Sequence, residues 1–221
     1  MDDLDSSTQI THIVLLSLGV SGTALLISSA VGIPIGVWLG FRRFVARRLV
    51  IAFIYTGMGF PPVVIGLLVY LLLSRDGPLG WLGWLYTPKA MVLAQVIISF
   101  PIITAFTMAA VMGVSGNVRL QLLTLGASRL QATLAVLSEA RIGVLVALIA
   151  GFGSIISEVG AVMMVGGNLK GSTQVLTTAV VQSTRMGLFE QAIVLGIILL
   201  TISFVVSLAW IALQGRSLLE R

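Results

Sequence analysis

Long apolar runs, separated by short charged or Gly/Pro-rich stretches, set the pattern of this chain. The runs cover residues 10–41, 49–74, 90–114, 142–165 and 189–214. Each is long enough to cross a hydrocarbon core as a helix, which takes roughly 20 residues. None alternates with period two, as a barrel strand of roughly 10 residues would. Backbone polar groups in lipid must be satisfied within the element or by a closed barrel. The pattern therefore predicts an all-α integral membrane protein with about five transmembrane helices. It forms a single transmembrane domain over 1–221.

The interruptions carry further information. Asp2, Asp3 and Asp5 precede the first run without a basic residue, so 1–7 reads as a short acidic tail and not as the n-region of a cleaved signal. Gly32, Gly36 and Gly40 stand four apart on one helix face around Pro34, which leaves two readings: a dimer seam, or close packing inside the bundle. Pro61-Pro62 breaks the second run, and Arg75-Asp76-Gly77-Pro78 marks a turn. Trp81, Trp84 and Tyr86 follow as an interfacial aromatic belt.

Residues 117–141 are a polar loop-and-helix segment. Leu120, Leu123, Ala127, Leu130 and Leu134 form one stripe at helical spacing, with Gly126 as a bend between two short helices. Such a segment suits a groove in a partner, or lies along the membrane surface.

The fourth run contains one carboxylate, Glu158. Read as a continuous helix, it puts Gly151, Ser154, Glu158 and Ala161 on one small-residue face. An ionised side chain at mid-bilayer costs about 2.5–3.5 kcal/mol, so Glu158 needs a partner, water or a proton. A pathway or gate residue and a structural acid near a helix end both satisfy that need. Residues 166–187 are too polar to span. They read as a loop and a short interfacial helix, a candidate mouth that carries Asn168, Thr173 and Thr177, or else a solvated cap.

Charge orients the chain. Arg42, Arg43, Arg47 and Arg48, then Arg119, Arg129 and Arg141, and finally Arg216 and Arg221 fall on one side if there are five crossings. That side is cytoplasmic by the positive-inside rule, which puts the N-terminus outside and the C-terminus in the cytoplasm. Composition agrees with a membrane class: 57% of residues are hydrophobic and only 10% are charged, against about 25% charged in soluble domains. The net charge of +5 is accounted for by these loops, so nucleic acid is not an expected partner. There is no cysteine and His12 is the only histidine, which leaves no thiolate or His-cluster metal site. No GxxxxGK[ST] sequence and no Ser/His/Asp arrangement is present, so neither ATP hydrolysis nor nucleophilic catalysis is expected in this chain. No internal repeat of the kind many secondary transporters carry is visible, though a secondary transporter remains the alternative class.

Leu125-Gly126-Ala127-Ser128, followed by a helix and a new span, resembles the cytoplasmic coupling loop of type I ABC-importer permeases. Leu120-Gln121-Leu122 and Ser138-Glu139 depart from the general pattern of that loop. Phe60-Pro61-Pro62-Val63-Val64, Gly77-Pro78-Leu79-Gly80, Ser157-Glu158-Val159-Gly160-Ala161, Met163-Met164-Val165-Gly166-Gly167-Asn168 and Leu176-Thr177-Thr178-Ala179 are similar to the tungstate-type branch, which is related to the molybdate permeases.

The resemblance implies a type I importer permease fold in the cell membrane of a prokaryote, surrounded by membrane lipid. It implies three partners: a second copy of the chain, an ABC ATPase that binds the ATP and magnesium, and an extracytoplasmic oxyanion-binding protein. No cofactor is expected in this chain. Leu123, Leu125, Gly126, Ala127, Ser128 and Arg129 are the implied ATPase-coupling residues. Ser154, Glu158, Asn168, Thr173 and Thr177 are the candidates for a pathway or gate. A carboxylate repels a dianion such as tungstate, so Glu158 is expected to act through hydrogen bonds and not as a ligand.

Overall fold

A computed structural model describes residues 2–42, 44–114 and 116–218. Among these residues there are ten α-helices, one short 3-10 turn and no strand. Helix α1 runs through Asp2–Phe41. The stretch expected to be an acidic tail is thus its first turns. Arg43, grouped above with the cytoplasmic arginines, lies outside the described residues.

Helices α2 (Arg47–Met58) and α3 (Pro62–Leu73) form the second run, bent by 101°. Pro61 disfavours helical backbone at Phe60, and Pro62 sits at the first position of α3, where its missing N–H costs nothing. A 3-10 turn at Gly80–Leu82 leads into α4 (Pro88–Gly113), the hub on which α1, α2, α3, α7 and α8 pack. The aromatic belt divides there. Trp81 is exposed, whereas Trp84 packs against the core beneath Lys89, and Tyr86 donates its backbone N–H to the Val165 carbonyl (2.8 Å).

The glycine ladder of α1 faces α4 within the same chain. A Cβ on Gly32 would lie 3.0 Å from Thr104 Oγ1, and one on Gly36 would lie 2.7 Å from the Thr104 carbonyl oxygen. One on Gly40 would lie 2.8 Å from Val111 Cγ1. Of the two readings, close packing inside the bundle is the one realised. Ser28 and Ser99 hydrogen-bond across the same seam (2.6 Å). Gly36→Ala is expected to cost about 1–3 kcal/mol by overpacking. Gly22→Ala on the same helix, with nothing within 4 Å, is expected to be neutral or to gain about 0.5–1 kcal/mol of helix propensity. Thermal unfolding of the two purified variants checks this contrast.

After α4 come α5 (Gly116–Thr124), α6 (Arg129–Glu139), α7 (Arg141–Ile156), α8 (Gly160–Gly166), α9 (Leu176–Arg185) and α10 (Phe189–Leu218). The expected tail 216–221 is helical as far as Leu218, and 219–221 lie outside the described residues. The expected span 142–165 is not one helix, because it breaks at residues 157–159 between α7 and α8. The 16 residues of α7 reach only about 24 Å. Together with α6, from which it bends by 67°, it has the length and composition of one broken span. Three helices, α1, α4 and α10, are long and apolar enough to cross a membrane alone, and five crossings result when each bent pair counts as one. On α10, Ile193, Ile197, Leu200 and Phe204 form an exposed stripe, the composition of a face turned to lipid.

Candidate coupling turn and membrane break

The turn between α5 and α6 is built by local chemistry. Gly126 has φ +89°, a left-handed conformation that costs glycine nothing. Its N–H donates to the Leu123 carbonyl (3.2 Å), and the Ala127 N–H donates to the Leu122 carbonyl (3.0 Å). This pair of bonds is a Schellman stop, which satisfies carbonyls that the end of α5 leaves open. Two residues later Ser128 starts α6. Its Oγ accepts from the Gln131 N–H (3.2 Å), and its own N–H donates to Gln131 Oε1 (2.8 Å), a reciprocal capping box. Leu-Gly-Ala-Ser with glutamine three residues on therefore spells a helix stop directly followed by a helix start.

This turn breaks the single helical stripe expected from spacing. Leu120 and Leu123 both line a cavity, whereas Leu125 at 83% and Leu130 at 68% relative exposure turn outward, with Leu134 also exposed. Ala127 is half-buried, and Ser128 and Arg129 are exposed. A rigid, apolar-tipped knuckle projects from the bundle on the arginine-bearing side.

At the second site the break after α7 frees backbone groups in an apolar interior, where each needs a partner. They are satisfied from three directions. Gln95 of α4 donates through Nε2 to the Ile155 carbonyl (3.0 Å). The Thr177 hydroxyl of α9 donates to the Glu158 carbonyl (2.8 Å). The Glu158 carboxylate turns back on its own chain, where Oε1 accepts from the Ala161 N–H (3.0 Å) and caps the start of α8. Glu158 is thus buried in a helix break and not set on the face of a continuous helix. Ser154 stays half-buried on α7, apart from the Glu158 hydrogen bonds, next to exposed Gly153 and Ser157. Helix α8 is held close to α3, since a Cβ on Gly66 would lie 2.6 Å from Ala161 Cα.

Residues 166–187 are packed in part: 173–179 and Ser183 are buried, whereas 169–172 and 184–187 are exposed. Thr173 (1% exposed) donates to the Gly166 carbonyl and accepts from the Leu169 N–H (3.0 Å), so its one O–H is committed. Gln182 Oε1 collects the amide groups of Asn168 (2.7 Å) and Gln174 (2.6 Å), while the buried Asn168 Oδ1 has no partner. Asn168 adopts φ +51°, and Gly167 before it has φ +71° with Tyr86 against it, so a Cβ there would lie 2.8 Å from the ring. The Tyr86 phenol is pushed above its ordinary pKa, first by its hydrogen bond with Tyr70 and then by burial. Ser17 of α1 accepts from the Leu176 N–H (2.8 Å) and ties α9 to the bundle.

The structure therefore joins Glu158 to Thr177, and places Thr173 and Asn168 in the adjoining loop network. Sequence reading left Gln95, Gln174, Gln182 and Ser17 out of this site. Gln182 was accessible through helical spacing, four residues after Thr178 on α9. Gln95 and Ser17 had no local signal, because their partners lie far along the chain.

Broken apolar helices around a buried polar junction, with a capped knuckle on the cationic face, define a multi-pass membrane transport subunit. The chain belongs to the family described as binding-protein-dependent transport system inner membrane component, whose model matches residues 32–216. It is 43% identical over 200 residues to a "Probable anion ABC transporter permease protein" of Haloferax volcanii, covering 88% of this chain and 86% of that one. It is 40% identical over 206 residues to the "Tungstate uptake system permease protein TupB" of Peptoclostridium acidaminophilum, covering 93% and 90%. Its fold matches a solved bacterial ABC transporter involved in the import of the acidic polysaccharide alginate. The TM-score is 0.75 over 95% of this chain and 80% of that one, at 19% identity.

Proposed function

We propose that this chain, paired with a second copy of itself, forms the translocation path of an ATP-driven importer for an oxyanion, namely tungstate. The 40% identity to a tungstate uptake permease along 93% of the chain carries this reading. The broader name of the Haloferax relative agrees on an anion. ATP and magnesium belong to a separate ATPase subunit, and an extracytoplasmic binding protein delivers the anion from the other side. The chain itself needs no cofactor. The N-terminus and the 166–187 network face outward, in the cell membrane of a prokaryote.

The knuckle at Leu125, Gly126, Ala127, Ser128 and Arg129 docks into the ATPase, with Leu125 as its apolar tip. Leu123 braces it from behind. Its rigidity suits a lever, because two helix ends are locked within a few residues by four hydrogen bonds. Glu158, Thr173, Thr177 and Asn168 shape and gate the mouth and do not ligate the anion. The O–H of each threonine and one of the two Asn168 amide N–H groups donate to protein acceptors, and the Glu158 carboxylate repels a dianion. Ser154, half-buried on α7 between exposed Gly153 and Ser157, is the one of the five we assign to the path itself.

Reconstitution with the ATPase and the binding protein in vesicles tests this directly. ATP-dependent uptake of labelled tungstate is expected, with molybdate as the competing substrate and sulfate excluded. Uptake that needs no ATPase would overturn the reading in favour of a secondary transporter. Preference for molybdate would overturn the substrate alone.

A further inference from the structure

A cavity of about 550 Å³ opens on the arginine-bearing face, where the ends of α1 and α4 meet the starts of α2 and α5. Its walls include Phe41, Met112, Leu123 and Val136, and among the described residues its charged lining residues are Arg47 and Arg119. Both are half-buried. Arg47 donates its Nε–H to the Leu39 carbonyl (3.1 Å), and one of its terminal nitrogens meets only the Met112 sulfur (3.4 Å), a weak acceptor. Arg119 stacks over the Phe41 ring, 4.8 Å from the centroid. Its Nε is fully buried with no hydrogen-bond partner.

Two permanent cations lining one cavity repel each other, and an unpartnered buried N–H carries a desolvation penalty. An anion with several acceptor oxygens removes both costs at once. Planar guanidinium forks fit such oxygens better than any other side chain does.

We propose that Arg47 and Arg119 form a binding site for a tetrahedral phosphate-like oxyanion, supplied either by an anionic lipid headgroup or as a free ion. Occupancy bridges α2 to α5, the helix that leads into the Gly126 knuckle, and so holds that helix against the bundle. The binding itself does not depend on the transport reading. A cytoplasmic-face site of this kind stands apart from the mouth around Glu158.

The test uses the full chain in two preparations. In nanodiscs of phosphatidylcholine only, equilibrium dialysis with radiolabelled inorganic phosphate reads the free-ion arm. In mixed phosphatidylcholine and phosphatidylglycerol, native mass spectrometry counts retained lipid and reads the headgroup arm. Saturable phosphate, or one tightly retained phosphatidylglycerol per chain, supports the site and identifies its source. Arg119→Gln and Arg47→Gln should each weaken that binding by about tenfold or more. Arg48→Gln, an exposed neighbour outside the cavity, should leave it unchanged. Size-exclusion profiles report folding, and Arg47→Gln carries the test if Arg119→Gln does not fold. Absence of both ligands from the wild type overturns the proposal, as does an equal loss in Arg48→Gln, which would mark ordinary surface charge.

Discussion

Gly126→Pro is expected to abolish coupled uptake while the membrane bundle stays folded. Proline fixes φ near −65°, and the residue it replaces sits at +89°. It also deletes the N–H that Gly126 donates to Leu123 and disfavours helical backbone at Leu125. The Schellman stop is lost, so Leu125 and the Ser128 cap no longer hold their relative orientation. The damage stays local, because Gly126 is exposed and a side chain there would meet nothing within 4 Å. Uptake in reconstituted vesicles should fall by about tenfold or more, while the loss of folding stability stays near that of the local turn, about 1–3 kcal/mol. ATP hydrolysis by the partner should continue without transport. Ser128→Trp, which removes the capping hydroxyl and fills the docking face, should give the same split. Fully coupled transport in both variants would remove the knuckle from the mechanism.

Glu158 separates a structural acid from a charged gate. Its carboxylate works here as an acceptor for one buried N–H. Glu158→Ala leaves the Ala161 N–H without a partner in a dry junction, at a cost of about 1–3 kcal/mol. It also frees α8 from its fixed start. Glu158→Gln keeps an amide oxygen at the same place and should retain both stability and uptake. Paired measurements of melting temperature and vesicle uptake decide between the two roles. If glutamine is as damaging as alanine, the negative charge and not the cap is what transport uses. If alanine itself is harmless, the junction does not govern the mouth.

These two sites differ in how far the sequence disclosed them. The knuckle is encoded within about ten residues. A glycine stop, a serine cap and a glutamine three residues later form bonds only to near neighbours, so reading them in order recovers the bend. What order alone obscured was the direction of Leu123, because a stripe drawn at helical spacing assumes that the helix continues. At Glu158 the local signal pointed the wrong way. Residues 142–165 have the apolarity of one span, and Ser157-Glu158-Val159 contains neither proline nor glycine to mark a stop. The break persists because Gln95, 60 positions before Ile155, and Thr177, 19 positions after Glu158, satisfy the freed carbonyls. The polar stretch 166–187 misled in the opposite sense. Its hydroxyls and amides suggested solvent, yet Thr173, Gln174, Thr177 and Thr178 are buried with hydrogen-bond partners inside the protein.

By itself, the sequence determined that this is an all-α membrane protein, where its arginines cluster and where the capped turn lies. Apolar run length, positive-charge bias and helix-end chemistry are local quantities, and lipid leaves the backbone few alternatives. Only the tertiary structure decided that the α1 glycines face α4, that the fourth run is broken at Glu158, and that Arg47 and Arg119 share one cavity. Each of these depends on a contact between residues distant in the chain, whose geometry is set by how the helices pack.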